Sequence, residues 1–415
     1  MKARVTPLIF SLCLTLVCSS AAFSQDQEAT PETAAAATVA DVYVQVSTGV
    51  NVYHATAAGH LTLVEGSPFS IAGQMEGITG SHLLSVGTTI LHSYKIESNG
   101  AVGSRISSIN TGTYDGEDCG PTTGNQAALD HSGKYFYVQL SGGPTTDGCE
   151  MNDWQTYKIG SNGDFTFIGN AYPPYYNWSP NTAPVFSSSD KYAYSITQLT
   201  LDDEIGFFPF TRMSNGYISI NTGFTESDPA HDPHRDYYLE PLMAAADPHE
   251  HLAVLMLPFS DCEGGGPPCL TEGDLQLASY TIDPATGGIS TAGTQADLPF
   301  VQLSWALALD VSLDGKFVAI GGSQLSADFV AGTAGLQVFK FNGAGLPTRL
   351  TALLLPGTQI DEVAWDKADH LYALSYEAQK LYIFNVSAAH GAVQIGEPTV
   401  VHGAYGLTGI IVVPR

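Results

Sequence analysis

The densest run of chemically capable side chains lies between Asp228 and Glu240, in Asp228-Pro-Ala-His-Asp-Pro-His-Arg-Asp-Tyr-Tyr-Leu-Glu240. Imidazoles and carboxylates are common ligands of divalent metals, and His231, Asp232, His234 and Asp236 fall within this one short stretch. His234 or His231 can also take a proton from water as a general base, while the Arg235 guanidinium can steady an oxyanion. Together these are the parts of a hydrolytic site acting on a carbonyl, with Asp232 and Asp236 available for an unidentified divalent metal. The same composition also suits a proline-rich loop whose His and Asp side chains are simply solvated.

A second concentration is aromatic. Asn170-Ala-Tyr-Pro-Pro-Tyr-Tyr-Asn-Trp-Ser-Pro180 sets Tyr175, Tyr176 and Trp178 among prolines. Rigid rings held this way suit the face of a sugar or a peptide segment, because they give contact area at small entropic cost; they suit a local core equally well. Glu117 and Asp118 beside Cys119, and Asp147 and Glu150 beside Cys149, add carboxylates. Such acids can bind calcium, cleave a glycoside as an acid and base pair, or stay solvated. No glycine-rich phosphate loop followed by a helix and no Gly-x-Ser-x-Gly nucleophile elbow is present.

These loops need a frame. Seven times an aromatic residue stands in an alternating run, and a turn glycine follows six or seven positions later. The aromatics are Tyr53, Tyr94, Tyr157, Phe210, Tyr280, Phe339 and Phe384; the glycines are Gly59, Gly100, Gly163, Gly216, Gly287, Gly345 and Gly391. In three copies Asn precedes the glycine, a pair that tolerates the positive φ of a tight hairpin. A polar turn precedes most copies, and its register residues Lys134, Lys191, His251, Lys316 and His370 stand 57, 60, 65 and 54 positions apart. Such a period, with several short strands per unit and no amphipathic helix between them, predicts an all-β chain folded as a seven-bladed β-propeller. Tyr53 lacks a complete inner strand before it, while Thr408-Gly-Ile-Ile-Val-Val-Pro414 is an orphan strand, so blade one should be closed by the C-terminal strand. The same strand order makes His249-Glu-His251 a turn on the face opposite the binding loops.

Residues 1–24 combine Lys2 and Arg4, an apolar run from Leu8 to Cys18 and small residues up to Ser24, the layout of a secretory signal peptide. Residues 25–40, made of Ala, Thr, Glu and Pro, read as a disordered linker, which leaves 41–415 for the propeller. An exported protein, periplasmic or secreted and without a membrane span, is the expectation. The chain has 41 acidic and 15 basic residues for a net charge of −26, or −28 once Lys2 and Arg4 leave with the leader. That sign repels phosphate backbones, excludes nucleic acid as a partner and disfavours a phosphorylated substrate. Cys119, Cys149, Cys262 and Cys269 form an even set in an exported chain, which suggests disulfides. Of the three pairings, Cys262 with Cys269 is the local one, and Cys119 with Cys149 would then follow.

The Asp314-Gly-Lys316 and Ser132-Gly-Lys134 turns leading into apolar strands, with the Leu336-Gln-Val-Phe-Lys-Phe341 strand and its glycine turn, resemble those of the lactonase-like seven-bladed propellers. That group holds 6-phosphogluconolactonase-type and muconate-cycloisomerase-type enzymes and exported members. The resemblance covers essentially all of 41–415. It implies the fold and, for activity, the opening of a lactone; the Pro-His that many members carry before an inner strand maps onto Pro233 and His234. Two readings follow. In the first, an exported, monomeric propeller holds a small-molecule, glycan or protein ligand on its loop face, with Tyr175, Tyr176, Trp178 and Asp118 touching it. In the second, an extracytoplasmic hydrolase opens unphosphorylated sugar or acyl lactones with His234, His231 and Arg235. The first is preferred, since it needs only rim aromatics and acids.

Overall fold

The computed structural model describes residues 37–111, 126–140, 153–171, 178–180, 182–199, 205–260, 269–270, 274–324, 333–406 and 408–415. The signal-peptide segment, Asp118, Cys119, Cys149, Cys262, Tyr175 and Tyr176 lie outside the described residues; Trp178 and Cys269 are described as backbone only.

Ala37–Arg415 is one unit of seven sheets, each built on four principal strands. The first strands, Gln74–Thr79, Ala127–Leu129, Val185–Phe186, Tyr238–Ala246, Trp305–Val311, Glu362–Trp365 and Ile410–Pro414, meet their counterparts from neighbouring blades around an inner ring. Ile410–Pro414 pairs antiparallel with Thr38–Val46, Val412 opposite Val42, so the two termini complete blade 1 as the sequence leads one to expect. The first strand begins at Thr38 and Ala40 is fully buried, so the folded unit starts a few residues before position 41. Arg415 seals the joint: its Nε lies 2.6 Å from Asp41 Oδ2, while His54 Nδ1 lies 2.7 Å from Asp41 Oδ1.

Second and third strands are apolar on both faces. Leu252 through Met256 are fully buried without a break, because a blade is covered on each face by a neighbour and alternation has no solvent side to serve. The core is therefore divided among the seven seams. Leu84, Val86, Phe136, Val138 and Tyr157 join blades 2 and 3, for example, and Leu255, Leu257, Val318 and Ile320 join blades 5 and 6.

All seven repeat aromatics sit on third strands and are buried. Six of the seven paired glycines have φ between 72° and 89°; in blade 6 the left-handed residue is Gly343, at 71°, rather than Gly345. In blades 2 to 6 the hairpin glycine sits hard against the preceding blade, and a hydroxyl of that blade holds its carbonyl. Tyr43 donates to Gly100 O at 3.0 Å, Ser93 to Gly163 O at 2.6 Å, Tyr137 to Gly216 O at 2.7 Å, Tyr194 to Gly287 O at 2.8 Å, and Ser279 to Gly343 O. On the same side, the turns between first and second strands clasp one another. Asp190 accepts from the backbone N–H groups of His131 and Ser132, and Glu250 from the Ser188 hydroxyl and Ser189 N–H. His249-Glu250-His251 is such a turn, its N–H groups at 249 and 251 capped by Asp247.

A Cβ added at Gly216 would lie 2.0 Å from the Tyr135 ring at a φ of +89°. Gly216→Ala should therefore lower unfolding free energy in urea by about 3 kcal/mol. Tyr137→Phe, which only releases the Gly216 carbonyl, should cost about 1–2 kcal/mol. An unchanged urea midpoint for Gly216→Ala would refute this account of the seam.

Candidate functional site

A cavity of about 340 Å³ opens between blades 4 and 5, where the chain enters the inner strand of blade 5 and the third strand of blade 4. This is the face that carries the connections between blades. One wall is the start of the inner strand, Tyr238 to Pro241; another is Ile205 and Gly206; Glu226, Asp228, His231 and Gln295 complete it.

The loop that builds this wall is fixed by two buried glutamines. Gln295 donates its backbone N–H to Ala230 O, accepts Asp232 N–H on its side-chain oxygen at 2.8 Å and donates its amide to Tyr237 O at 2.9 Å. Gln276 donates to Gln295 O and Leu298 O and accepts from Arg235 at 3.0 Å. Both glutamines are almost completely buried. Residues 228–237 are thus sewn to 291–298 across the blade 5 exit, and the position of each side chain is set by partners far along the sequence.

Arg235 is fully engaged. Beyond Gln276 it donates to the Tyr237 hydroxyl at 2.9 Å, lies 3.4 Å from Asp232 Oδ2 and stacks over Phe300. Asp232 caps the turn by accepting His234 N–H at 3.0 Å, and the exposed His234 and Asp236 do not line the cavity. Of the residues singled out in the sequence, His231 does line it, stacked on Tyr238 with ring centroids 4.5 Å apart. Of these, His231 lines the cavity, while His234 and Arg235 do not. Among the described residues, no three His, Cys, Asp or Glu side chains converge to hold a metal ion.

Sequence reasoning missed Glu226. Glu226–Ser227 adds in parallel outside Ile289–Ser290, and residues two apart on an extended segment share a side, which sets Glu226 next to Asp228. Desolvation and the neighbouring Asp228 carboxylate raise Glu226 above the ordinary carboxylate range, although both side chains are exposed on the rim of the cavity. The spacing Glu226-Ser-Asp228, just ahead of the His- and Pro-rich run, was the available signal.

A second acidic group lies on the inner ring where the ring closes. Glu76, 6% exposed, accepts from the Thr408 hydroxyl at 3.0 Å, and its other oxygen has no partner. Glu362 accepts from the Tyr376 hydroxyl at 3.2 Å and from Gly409 N–H. Burial pushes Glu76 up to about 8 despite the Thr408 bond, and burial raises Glu362 well above the carboxylate range with Glu76 adding to it. Between the ordinary Glu value and about 8, the folded chain keeps a proton on Glu76 that the unfolded chain has released, so stability falls as pH rises through that window. Thermal unfolding midpoints should decline from acidic to mildly alkaline pH, and Glu76→Gln should flatten the decline. Equal slopes in wild type and variant would count against this assignment.

No protein-family model and no curated protein matches the chain. Solved structures do. A periplasmic gluconolactonase of Pseudomonas aeruginosa superposes with a TM-score of 0.53 at 14% identity, covering 90% of this chain and 99% of that one. A Lactobacillus plantarum protein gives 0.55 at 13%, covering 89% and 98%. A candidate 6-phosphogluconolactonase from Bacteroides fragilis gives 0.51 at 13%, covering 92% and 100%. The fold is thus that of the lactonase-like seven-bladed propellers, and at these identities the likeness is one of fold.

Proposed function

We propose that this chain is an exported ligand-binding propeller that holds a hydroxyl-rich small molecule, of sugar or sugar-lactone type and without phosphate, in the cavity between blades 4 and 5. The observation that carries the reading is the Glu226–Asp228 pair set in that cavity beside the His231–Tyr238 ring stack. Carboxylates accept from vicinal hydroxyls, and flat rings take the C–H face of a sugar. The volume falls at the lower end of small-ligand sites, roughly 300–1,000 Å³. A periplasmic enzyme among the structural neighbours agrees with the leader-like segment at 1–24.

One observation favours a second reading, hydrolysis of an unphosphorylated lactone. Two adjacent carboxyls, one of them raised towards its neutral form, can supply an acid and a base together. Asp228 takes a proton from water as it attacks the lactone carbonyl, and the Glu226 carboxyl donates a hydrogen bond to the carbonyl oxygen as negative charge develops there; collapse of the tetrahedral intermediate then breaks the ring C–O bond, and Asp228 returns its proton to the leaving alkoxide. The gluconolactonase among the neighbours supports testing it. His234 and Arg235 take no part in this scheme, and His231 serves as a wall.

The test is calorimetric titration of the mature protein with neutral monosaccharides and unphosphorylated sugar lactones, with lactone turnover followed in parallel. Saturable binding should weaken about tenfold in Asp228→Asn, roughly the loss of one charge-assisted hydrogen bond. It should also weaken in His231→Ala and persist in His234→Ala. Turnover that Asp228→Asn abolishes would advance the hydrolase. No binding to any of these compounds would sink both readings.

A further inference from the structure

Where the ring closes, three inner strands stand side by side: Glu362–Trp365 of blade 7, Ile410–Pro414 of blade 1 and Gln74–Thr79 of blade 2. At the end where these strands enter the ring, each brings oxygen atoms. Glu362 opens the first, Thr408 and Gly409 lead into the second, and Glu76 stands third in the last.

Glu76 is the extra residue of a bulge, since Met75 pairs with Ser85 and Gly77 with Leu84. A bulge re-aims the side chain it inserts. The same bulge in blades 5 and 6 carries Leu242 and Leu307, so the fold asks for no charge at this place. The Thr408 hydroxyl donates to Glu76 Oε2 at 3.0 Å. The Tyr376 hydroxyl lies 3.2 Å from Glu362 Oε1 and 2.9 Å from Gly406 O, with one proton for two acceptors. It also packs on Gly409, where a Cβ would come within 2.0 Å of it. Gly406, Thr408 and Gly409 thus bring the two glutamates to one place.

Two observations ask for a cation there. Glu76 is almost completely buried, and its Oε1 finds no hydrogen-bond partner among the described residues, a cost that a positive ion at that oxygen removes. No ion pair of the described residues includes Glu76, Glu362 or the adjacent Asp361. Asp361 is answered by the Gln359 amide and Tyr376 N–H, which leaves the two glutamates facing each other without a positive group.

We infer that Glu76 and Glu362, with the Thr408 hydroxyl and the Gly406 carbonyl, hold a calcium ion at the closure of the ring. The donors are all oxygen, with no imidazole or thiolate, which selects a hard divalent cation. Calcium accepts roughly six to eight oxygens in flexible geometry, water included, whereas magnesium demands a regular octahedron that groups carried by three blades do not readily supply. Two carboxylates match the charge of the ion. With only two charged ligands the affinity falls in the weak class, with a Kd of roughly 0.1–1 mM. The ion ties the strand that completes blade 1 to the blades on either side, and it is independent of the cavity between blades 4 and 5.

The experiment is thermal unfolding of the chelator-treated full chain at one pH near neutrality, in calcium chloride up to about 10 mM. Magnesium chloride at the same concentrations and sodium chloride at matched ionic strength serve as controls, and calorimetric titration with calcium gives the stoichiometry. Calcium is expected to raise the midpoint by about 2 °C beyond either control, with one saturable site. Glu76→Gln and Glu362→Gln should each abolish the calcium-specific rise, while Glu397→Gln, at an exposed acid elsewhere, should keep it. Should one of the first two fail to fold, the other decides; should both fail, the wild-type titration does. No calcium-specific rise, or no saturable site, would overturn the inference. So would a rise that persists in both glutamine variants, which would assign it to screening of the acidic surface. Magnesium acting as strongly as calcium would overturn the choice of ion.

Discussion

A blade four strands wide has two apolar faces and no interior, so the whole fold depends on each blade being dried by a neighbour on either side. This is why the core is divided into seven seam clusters rather than gathered at one centre. In blades 2 to 6 the hairpin after the third strand lies in the seam with the preceding blade. A side chain at Gly216 would enter the Tyr135 ring and one at Gly287 the Tyr192 ring, while hydroxyls from those same blades hold the glycine carbonyls. Closure of the ring is the same requirement applied to the last seams. Without Ile410–Pro414, blade 1 has no inner strand, and Val42, Val44 and Tyr372 lose the covering that joins blades 7 and 1.

The seams also decide where polar chemistry can occur. On the hairpin side the turns are occupied with one another: Asp190 of blade 4 holds the turn of blade 3, and Glu250 of blade 5 holds the turn of blade 4. On the inner ring an acid is crowded on all sides, which is why Glu76, Glu362 and Asp310 are driven towards their neutral forms. What remains is the face of the connections, where Asn221 to Tyr238 must cross from the rim of blade 4 to the inner strand of blade 5. Gln276 and Gln295 make that crossing rigid, since each satisfies several backbone groups of a loop that forms little secondary structure of its own.

The blade count was legible in the sequence because it is written locally. An aromatic and a glycine six positions apart on one hairpin need no distant partner to be recognised, and Tyr53 through Phe384 all stand on third strands. The exception, Gly345 with an ordinary φ beside the left-handed Gly343, arises in an Asn-Gly-Ala-Gly turn that offers two candidates. The site was legible only as a region. The Asp228–Glu240 loop does build the cavity, yet its sequence does not say that Gln276, 41 positions from Arg235, holds the guanidinium away. Nor does it say that Glu226 turns towards Asp228 because the strand at Ile289 gives it a parallel neighbour. Sequence proximity groups His231 with His234, whereas the turn holds His234 N–H on Asp232 and stacks the His231 ring on Tyr238 seven residues later.

The scarcity of cations acquires a structural meaning from the same details. Arg212 is committed to Asp130 and Asp190, Arg235 to Asp232 and Gln276, Arg349 to Phe300 O, and Arg415 to Asp41. Each of these guanidiniums joins segments that the fold must keep together, and none is presented to the cavity. A phosphate or carboxylate entering between blades 4 and 5 would meet Glu226, Asp228 and Glu240, with no Lys or Arg among the described residues lining the walls. The acidic surface and the acidic cavity therefore act in one direction, against an anionic ligand.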